Sequence, residues 1–508
     1  MPRRLSRRSF VRTAALGSAG LALASGIRAQ PTKLPRKPNL LVFLPDQQRA
    51  DTLACYGAGK VHAPNLNKFA SQSVIFQQTC ITHPVCTPSR SSLMTGTWPH
   101  TNGCTHNFMR LDPRFRCLSE MIGDGDYRCG YMGKWHLGDE VFAQHGFEEW
   151  ISIEDGPPFR TNFGPDRDPK AISDYSKFLF SKNLKPSAGQ DYFDARLAST
   201  LPLELSKPKF LETKACEFLD RHKKEPFVLF VAFLEPHPPY NGPLNEEHPF
   251  DQIEMEPNAD QVFGTEMPLR YRLRQENDKK RFGTPPEKSR KTKQKYLGLV
   301  TEMDQSVGAI LSKLEALGLA DSTIVIHTSD HGDMMTAHGL VGKEVMFQEA
   351  ARVPYLVRMP NQRRSFSVAQ SVSHIDFAPT LLDLLGKAPH EQCAGKSRAP
   401  LIRGDSMPPE TIFLEWAPGK KAKLKKDSKL AKPDEMKRAL SESTRAAISP
   451  DGWKLCLRDN DKSELYNLPA DPREEQNLFG RSEQKDVIAK LTDEIHRWQT
   501  SVKDSVKV

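Results

Sequence analysis

The chain has 508 residues, more than a single hydrophobic core usually contains, so we expect a large domain with a smaller one, or two domains. Hydrophobic residues make up 38% and charged residues 27%, a composition that excludes a wholly disordered chain. Six arginines and no acidic residue lie in residues 1–29, so the formal net charge of +9 falls to +3 for a chain that begins at Gln30.

The N-terminus has the pattern of an export signal. A basic stretch with the pair Arg7-Arg8 precedes an apolar run from Ala14 to Ala24, and Ile27-Arg28-Ala29 supplies a cleavage site. This is typical of a twin-arginine signal over residues 1–29, which predicts passage through the twin-arginine (Tat) translocon and a periplasmic or secreted bacterial protein. The apolar run is too short, and too rich in Ala and Gly, for a membrane span, so no stable membrane insertion is expected.

Strands and helices alternate over most of the chain. Buried parallel strands are predicted, from continuous apolar runs, over Asn39–Asp46, Arg128–Trp135, Pro226–Leu234 and Ser322–Asp330. Helices are predicted, from the spacing of apolar residues, over Pro64–Ser73, Lys209–His222, Lys295–Leu317 and Asp376–Leu385. This alternation predicts an α/β protein with a doubly wound sheet flanked by helices.

The pattern changes from about Pro408. Short strand-like pieces, TIFLEW, AAIS, WKLCLR and ELYNL, precede a helix predicted over Glu483–Ser501. We therefore expect a catalytic domain over residues 37–407 and a smaller antiparallel subdomain over residues 408–508, with a Lys-rich insertion at 418–438.

Two stretches are locally basic, Arg270–Lys295 and Lys420–Arg438. We interpret each as a solvated loop, and contact with a polyanion such as a sulfated glycan or nucleic acid is the alternative. Neither stretch interleaves aromatic residues among its charges as single-strand binders do, so nucleic acid is not an expected partner.

Polar residues follow two of the predicted strands. Asp46 and Gln47 come after the first strand, and Asp330 and His331 come after a later one. Ligands of open α/β sheets lie outside the carboxyl ends of the strands. Four oxygen or imidazole groups there could hold a divalent cation, and the oxygen-rich mixture favours calcium or magnesium over zinc. For either pair alone, capping of a strand end is an equally good interpretation.

Further candidates for acid/base chemistry lie near strand ends and in a glycine-bounded loop. Lys134 and His136 are two residues apart, so in extended backbone both side chains point to one face, as an anionic, acid/base-dependent site requires. His237 follows a buried strand in a proline-stiffened turn, and Lys343 lies in HGLVGKE. Taken singly, each of these residues also fits a structural or solvated role.

The segment PVCTPSRSSLMTG places a cysteine at the start of a predicted helix. Pro88 suits a first helical turn, so free N–H groups and the helix dipole would lower the pKa of the Cys86 thiol, with Arg90 on the same face. A buried structural cysteine is the simplest alternative. A cysteine hydrolase with His136 or His237 as base is another, but it leaves the strand-end carboxylates without a role.

Together these motifs resemble the formylglycine-dependent sulfatases of the alkaline-phosphatase superfamily. CTPSRSSLMTG matches the sulfatase signature, which is Cys-x-Pro-x-Arg closed by Thr-Gly, and GKWHLG, PHPPY, SDHGD, HGLVGK and ELYNLPADPREEQNL match further blocks in order. The resemblance spans roughly Lys37 to Arg497. It implies an alkaline-phosphatase-like large sheet and hydrolysis of sulfate esters.

The resemblance also implies two groups that the bare sequence lacks. Cys86 would be converted to 3-oxoalanine (formylglycine) by the formylglycine-generating enzyme, and the aldehyde hydrate would be the nucleophile. One calcium ion would be held by that group with Asp46, Gln47, Asp330 and His331, and it would bind the sulfate oxygens and lower the pKa of the attacking hydroxyl.

The remaining candidates take roles from the same resemblance. Arg90 would orient the formylglycine, while Lys134 and Lys343 would neutralise charge on the transferring sulfuryl group. His237, alone or with Lys343, would protonate the leaving alcohol, and His136 would deprotonate the hemiacetal so that sulfate is eliminated.

Two departures from the family pattern concern the metal ligands. Many sulfatases have Asp-Asp where this chain has Asp46-Gln47, and Asp-Asn where it has Asp330-His331. This variant resembles the branch that includes choline sulfatase, several glycan sulfatases and phosphonate monoester hydrolases.

A sulfated small molecule or glycan is the expected substrate. A phosphonate monoester or phosphodiester hydrolase with the same site, or a non-catalytic sulfated-glycan binding protein with an unmodified Cys86, are the alternatives.

Overall fold

The computed structural model describes residues 37–57, 61–123, 125–156, 168, 170–283, 286–419 and 428–508. The predicted export signal, residues 1–29, lies outside the described residues, as does part of the Lys-rich insertion, residues 420–427. Among the described helices, none is both long enough and apolar enough to cross a membrane.

Strands and helices alternate as the sequence predicts. The strands are β1 Asn39–Phe43, β2 Val74–Phe76, β3 Thr79–Cys80, β4 Arg128–Gly133, β5 Glu149–Ile151, β6 Phe227–Ala232, β7 Thr323–Thr328, β8 Arg352–Val353, β9 Tyr355–Arg358, β10 Phe366–Val368, β11 Val372–Ser373, β12 Ile412–Trp416, β13 Thr444–Ile448, β14 Trp453–Arg458 and β15 Glu464–Asn467. The α-helices are α1 Pro64–Ala70, α2 Cys86–Thr95, α3 Pro99–Asn102, α4 Leu118–Ile122, α5 Asp174–Ser181, α6 Ala195–Ala198, α7 Lys207–His222, α8 Leu269–Asp278, α9 Pro286–Ala316, α10 Gln348–Ala351, α11 Phe377–Leu384, α12 Ala399–Ile402, α13 Pro433–Leu440 and α14 Lys485–Val502.

A large sheet forms the centre of the fold. Its strand order is β10-β2-β9-β7-β1-β6-β4-β5, and its pairs are parallel except that β9 runs antiparallel to β2 and β7. The four strands predicted from continuous apolar runs are the adjacent central strands β7-β1-β6-β4. Because helices cover both faces of these strands, both faces are buried, which is why their sequences are apolar throughout rather than alternating. The predicted α/β class with a large, helix-flanked sheet is confirmed.

Two layers of helices cover the sheet, one on each face. Leu41 of β1 lies in one apolar cluster with Phe218 of α7 and Val307 of α9. Val42, the next residue, points the other way and shares a second cluster with Leu93 of α2. This period of two along β1 fixes which helix lies on which face, and it places α2 directly against the strands that carry the polar ends.

The C-terminal part forms a separate four-stranded antiparallel sheet, β12-β13-β14-β15, as the sequence predicts. One face packs on α14 through Leu455 and Leu491. The other face places Leu414 in a cluster with Val85, the residue before α2, and with Met346. The small sheet therefore supports the segments on either side of the strand ends of the large sheet.

The interpretation of Arg270–Lys295 as a solvated loop is wrong. The stretch contains most of α8 and the start of α9. Arg270 is buried, with its guanidinium 3.9 Å from the ring centroid of Trp416 and 3.4 Å from a carboxylate oxygen of Glu442. The many charges of this stretch suggested a solvated loop. The stretch instead forms a helix on which Arg270 and Tyr271 are buried, and the charge of Arg270 is paired with Glu442.

Candidate active site

The central strands deliver their polar ends to one edge of the sheet. β1, β4, β6 and β7 are mutually parallel neighbours, so the segments that follow them start from the same edge. A further parallel bridge pairs Asp46 with Pro236 beyond the ends of β1 and β6. The structure therefore brings together the residues after β1, β4, β6 and β7, as the sequence predicted, and adds the start of α2.

Cys86 is the first residue of α2 and is fully buried. The preceding residue, Val85, is extended, with φ −151°, so the helix begins at the cysteine itself. All ten residues of α2 are buried, which is unusual for a helix with so many polar side chains. Its polar groups bind the strand ends instead of water: the Ser89 hydroxyl donates to the carbonyl oxygen of Asp330.

Arg90 ties α2 to three of these segments. Its Nε donates to Asp330 Oδ2 at 2.8 Å, and one terminal nitrogen donates to the carbonyl oxygen of Lys134 at 2.6 Å. The other terminal nitrogen lies 3.4 Å from Asp46 Oδ2. In this structure Arg90 thus holds the first turn of α2, and with it Cys86, against the ends of β1, β4 and β7.

Four potential metal ligands converge on Cys86. One ligand atom each from Asp46, Cys86, Asp330 and His331 lies within 4.8 Å of the others, and all four residues are buried. The Cys86 sulfur is 3.2 Å from His331 Nε2 and 3.8 Å from Asp46 Oδ1. His331 Nε2 is itself 3.6 Å from Asp330 Oδ1 and 3.7 Å from Asp46 Oδ1.

The orientation of these donors fits a cation. Asp46 Oδ2 lies 2.9 Å from Lys134 Nζ. On the Oδ1 side, the neighbouring atoms lie 3.7 to 3.8 Å away: the Cys86 sulfur, His331 Nε2 and Lys343 Nζ. His331 donates from Nδ1 to the carbonyl oxygen of Gly332 at 2.9 Å, which leaves Nε2 as the ring nitrogen directed toward the cluster. Two carboxylates, an amide oxygen and an imidazole suit a hard divalent ion such as calcium.

Gln47 completes this set from a left-handed backbone position, with φ 72°. Its side-chain nitrogen donates to the Tyr240 hydroxyl at 3.1 Å and to a carboxylate oxygen of Asp333. These bonds fix the amide so that Oε1 faces Lys343, whose Nζ donates to it at 2.8 Å. The amide oxygen is therefore presented to the same centre as Asp46 Oδ1.

Two lysines give the centre an excess of positive charge. Lys134 Nζ lies 3.9 Å and Lys343 Nζ 2.9 Å from the Cys86 sulfur, and neither ammonium group is merely solvated. Burial alone would raise the pKa of the Asp46 carboxyl, but the two lysines more than offset burial and hold that pKa well below its usual value. Burial and Asp46 likewise raise the pKa of the Cys86 thiol, yet the lysines and His331 leave it lowered. The site favours an anion at residue 86.

The backbone conformation that brings His136 to the site was not predicted from the sequence. β4 ends at Gly133 and His136 has φ 63°, so the expectation of an extended backbone that places Lys134 and His136 on one face is wrong. Glu140 instead fixes the loop by accepting the backbone N–H groups of Trp135, at 2.9 Å, and His136, at 2.5 Å. Burial and the nearby Lys134 hold the pKa of His136 well below its usual value, so its imidazole is neutral near pH 7.

His237 follows β6 and has one ring nitrogen in use. Nδ1 donates to the carbonyl oxygen of Pro238 at 2.7 Å, which leaves Nε2 for a substrate. Burial lowers the pKa of His237 well below its usual value, and Lys343 and Lys134 lower it further. Because the preceding residue, Pro236, forms a backbone bridge with Asp46, His237 lies beside the same centre.

The residues that hold the Lys343 loop were not predicted from the sequence. Arg274 of α8 donates to the carbonyl oxygens of Val341, at 2.6 Å, and of Lys343. Asp278, one turn further along α8, pairs with Arg274 and accepts the backbone N–H of Val341 at 3.1 Å. The i, i+4 spacing of Arg274 and Asp278 was a visible signal for a helix, but nothing in the sequence linked that helix to the loop.

A cleft of about 690 Å³ opens beside Lys343 and the His237 turn. Its lining includes Tyr240, Arg281 and Gly342 of the large domain together with Trp416 and Met436 of the C-terminal part. The cleft therefore lies between the two parts of the chain.

The chain is similar to known proteins over most of its length. A model of the Sulfatase family matches residues 38–387. The chain is 24% identical to an N-acetylglucosamine-6-O-sulfatase of Bacteroides thetaiotaomicron, over 97% of this chain and 91% of that protein. It is 25% identical to an ulvan-active sulfatase of Formosa agariphila, over 91% and 81% of the two chains.

Among solved structures, the phosphonate monoester hydrolase SpPMH from Silicibacter pomeroyi superposes with a TM-score of 0.74 at 18% identity, over 92% of this chain and 96% of that chain. At that identity the likeness shows a shared fold and not a shared substrate. The family match spans all of the candidate site residues, from Asp46 to Lys343. The chain belongs to the sulfatase family of sulfuric ester hydrolases, within the alkaline-phosphatase superfamily.

Proposed function

We propose that this protein is an exported sulfatase that hydrolyses a sulfate ester of a carbohydrate, with formylglycine derived from Cys86 as nucleophile and one bound calcium ion. The observation that carries the proposal is the buried first residue of α2, where Cys86 meets Asp46, Asp330, His331 and two lysines. Burial of these charged groups costs free energy, and a cysteine with a purely structural role would not require them.

Asp46, Gln47, Asp330 and His331, with the residue-86 side chain, would hold the calcium ion, which would neutralise the sulfate oxygens when bound. The formylglycine hydrate would supply the hydroxyl that attacks sulfur. A hydrate oxygen is also a harder ligand than the thiol sulfur, so the conversion of Cys86 makes the donor set more suitable for calcium.

The chain's own residues supply the remaining charges and protons. Lys134 and Lys343 bind the sulfate oxygens and stabilise the negative charge that develops during transfer. The anionic substrate offsets the two lysines, which favours a proton on His237 Nε2 for the leaving oxygen. His136 is neutral and buried, so it can accept the proton of a hydroxyl at residue 86.

The carbohydrate substrate is supported by the relatives and by the cleft. An N-acetylglucosamine-6-O-sulfatase and an ulvan-active sulfatase each match most of this chain. The cleft beside Lys343 has the volume of a small-molecule binding site. Export, with a periplasmic or secreted location, is proposed from the sequence of residues 1–29 and would place the enzyme where extracellular polysaccharides are met.

The test is the mass of the tryptic peptide Phe69–Arg90, from protein made in a host with a formylglycine-generating enzyme. Conversion of Cys86 lowers the mass by about 18 Da, whereas ordinary thiol oxidation raises it. Fragment ions separate Cys86 from Cys80, which lies in the same peptide. The same preparation should release sulfate from sulfated sugars faster than it cleaves phosphonate monoesters, and the Cys86→Ala variant should do neither. Faster phosphonate cleavage would favour the alternative hydrolase, and a persistent thiol with intact glycan would favour a binding protein.

A further inference from the structure

Phe108 lies where the buried site meets solvent. Its side chain is 43% exposed, and its ring centroid is 4.9 Å from that of His136, with the two rings edge-to-face at 74°. His136 itself is only 5% exposed. A side chain that is open to solvent and also contacts a buried histidine of the site stands at the mouth of that site.

The backbone holds Phe108 in an unfavourable conformation. Its φ of 65° lies in the left-handed region, which is rare and strained for a bulky residue. Both neighbours are anchored: Asn107 accepts the backbone N–H of Thr87 at 3.1 Å, and Met109 packs against the core. The turn therefore points one aromatic ring outward while its flanking side chains point inward.

The same turn is bonded to the residue after the nucleophile. The Phe108 backbone N–H donates to Thr87 Oγ1 at 3.2 Å, and that hydroxyl donates to the carbonyl oxygen of His136 at 2.8 Å. Thr87 thus fixes Phe108 relative to both Cys86 and His136. The position of the ring is set by the site and not by the surface around it.

The turn also borders the large cleft. A Cβ placed on Gly419, which lines the cleft, would lie 3.9 Å from the Cβ of His106, two residues before Phe108. If Lys134 and Lys343 bind the sulfate group, as proposed above, the part of a substrate left to contact Phe108 is the leaving alcohol. An aromatic ring favours the apolar face of another ring, aryl or pyranose, over an acyclic chain.

We propose that Phe108 is a specificity-determining residue that packs against a ring of the leaving group. The inference rests on the proposed sulfatase function. It predicts that the enzyme prefers sulfate esters whose ester oxygen is attached to, or one carbon from, a ring.

The experiment compares two activated sulfate monoesters, 4-nitrophenyl sulfate and 2,2,2-trifluoroethyl sulfate, of which the second has no ring. Phe108→Ala should lower kcat/KM for the aryl ester by about three- to tenfold, mainly through KM, and change the acyclic ester by less than about twofold. Phe108→Trp should restore the preference for the ring. Phe180→Ala, which removes an equally exposed phenylalanine from α5, is the matched control and should change neither ester.

The outcomes separate the two proposals. Equal effects of Phe108→Ala on both esters, or no effect on either, would overturn the role of Phe108 and leave the sulfatase function intact. A wild-type enzyme that carries the aldehyde but releases sulfate neither from these esters nor from sulfated sugars would overturn both. A selective loss on the aryl ester that Phe108→Trp reverses would support the proposal, because a purely structural defect affects both substrates.

Discussion

Replacement of Arg274 tests whether α8 positions the catalytic centre. Arg274 donates to the carbonyl oxygens of Val341 and Lys343, and a lysine at this position could reach only one of them. A hydrogen bond from a charged donor contributes about 1.5–3 kcal/mol. If the loss of one hydrogen bond displaces Lys343, Arg274→Lys should lower kcat about 10- to 100-fold, with a smaller change in KM.

The assay is sulfate release under saturating and limiting substrate, with the melting temperature measured in parallel. Arg272→Lys is the matched control, because Arg272 lies on the same helix and has no hydrogen bond to residues 341–344 within the described part of the chain. The expected result is a loss of kcat in Arg274→Lys with the melting temperature close to that of Arg272→Lys. Equal activity in the two variants would refute the reasoning, since the loop would then hold Lys343 without the two hydrogen bonds from Arg274.

Three further results are expected. His237→Ala should slow hydrolysis of alkyl sulfates at least about tenfold more than hydrolysis of 4-nitrophenyl sulfate, because an activated leaving group needs less protonation; equal losses would argue against a proton donor at residue 237. Chelation of divalent cations should lower both activity and melting temperature, and calcium should restore them better than magnesium; an unchanged enzyme would exclude a bound ion. Asp504→Asn should lower the free energy of unfolding by about 1.5–3 kcal/mol at pH 7, because Asp504 pairs with the buried Arg445. Burial raises the pKa of Asp504, but Arg445 leaves it below its usual value, so this contribution is present above about pH 4 and disappears as pH falls through the folded-state pKa. A difference between wild type and variant that persists at pH 2 would contradict this.

The sequence predicted the centre of the fold because its central strands are buried on both faces. Continuous apolar runs identified β1, β4, β6 and β7, and the polar residues after them were expected at one edge of the sheet. The start of a helix at Cys86 followed from the proline two residues later. These features depend on local composition and on general rules of α/β topology, both of which can be read without coordinates.

The features that were predicted wrongly or not at all depend on tertiary contacts. The left-handed backbone at His136 is imposed by Glu140, four residues away, and no spacing rule indicates it. Arg270–Lys295 has the charge of a solvated loop, but Arg270 is buried over Trp416 and Arg274 bonds to the Lys343 loop. Phe108 carries no motif, and its interest arises only from its exposure beside a buried histidine.

The central claim is that turnover requires an aldehyde at residue 86. The most direct measurement is specific activity on a sulfate ester against the fraction of residue 86 converted, in preparations made with graded amounts of the formylglycine-generating enzyme. An aldehyde nucleophile predicts a straight line through the origin, with Cys86→Ala at zero. Activity that does not change with the converted fraction, or that is highest in the thiol form, would contradict it.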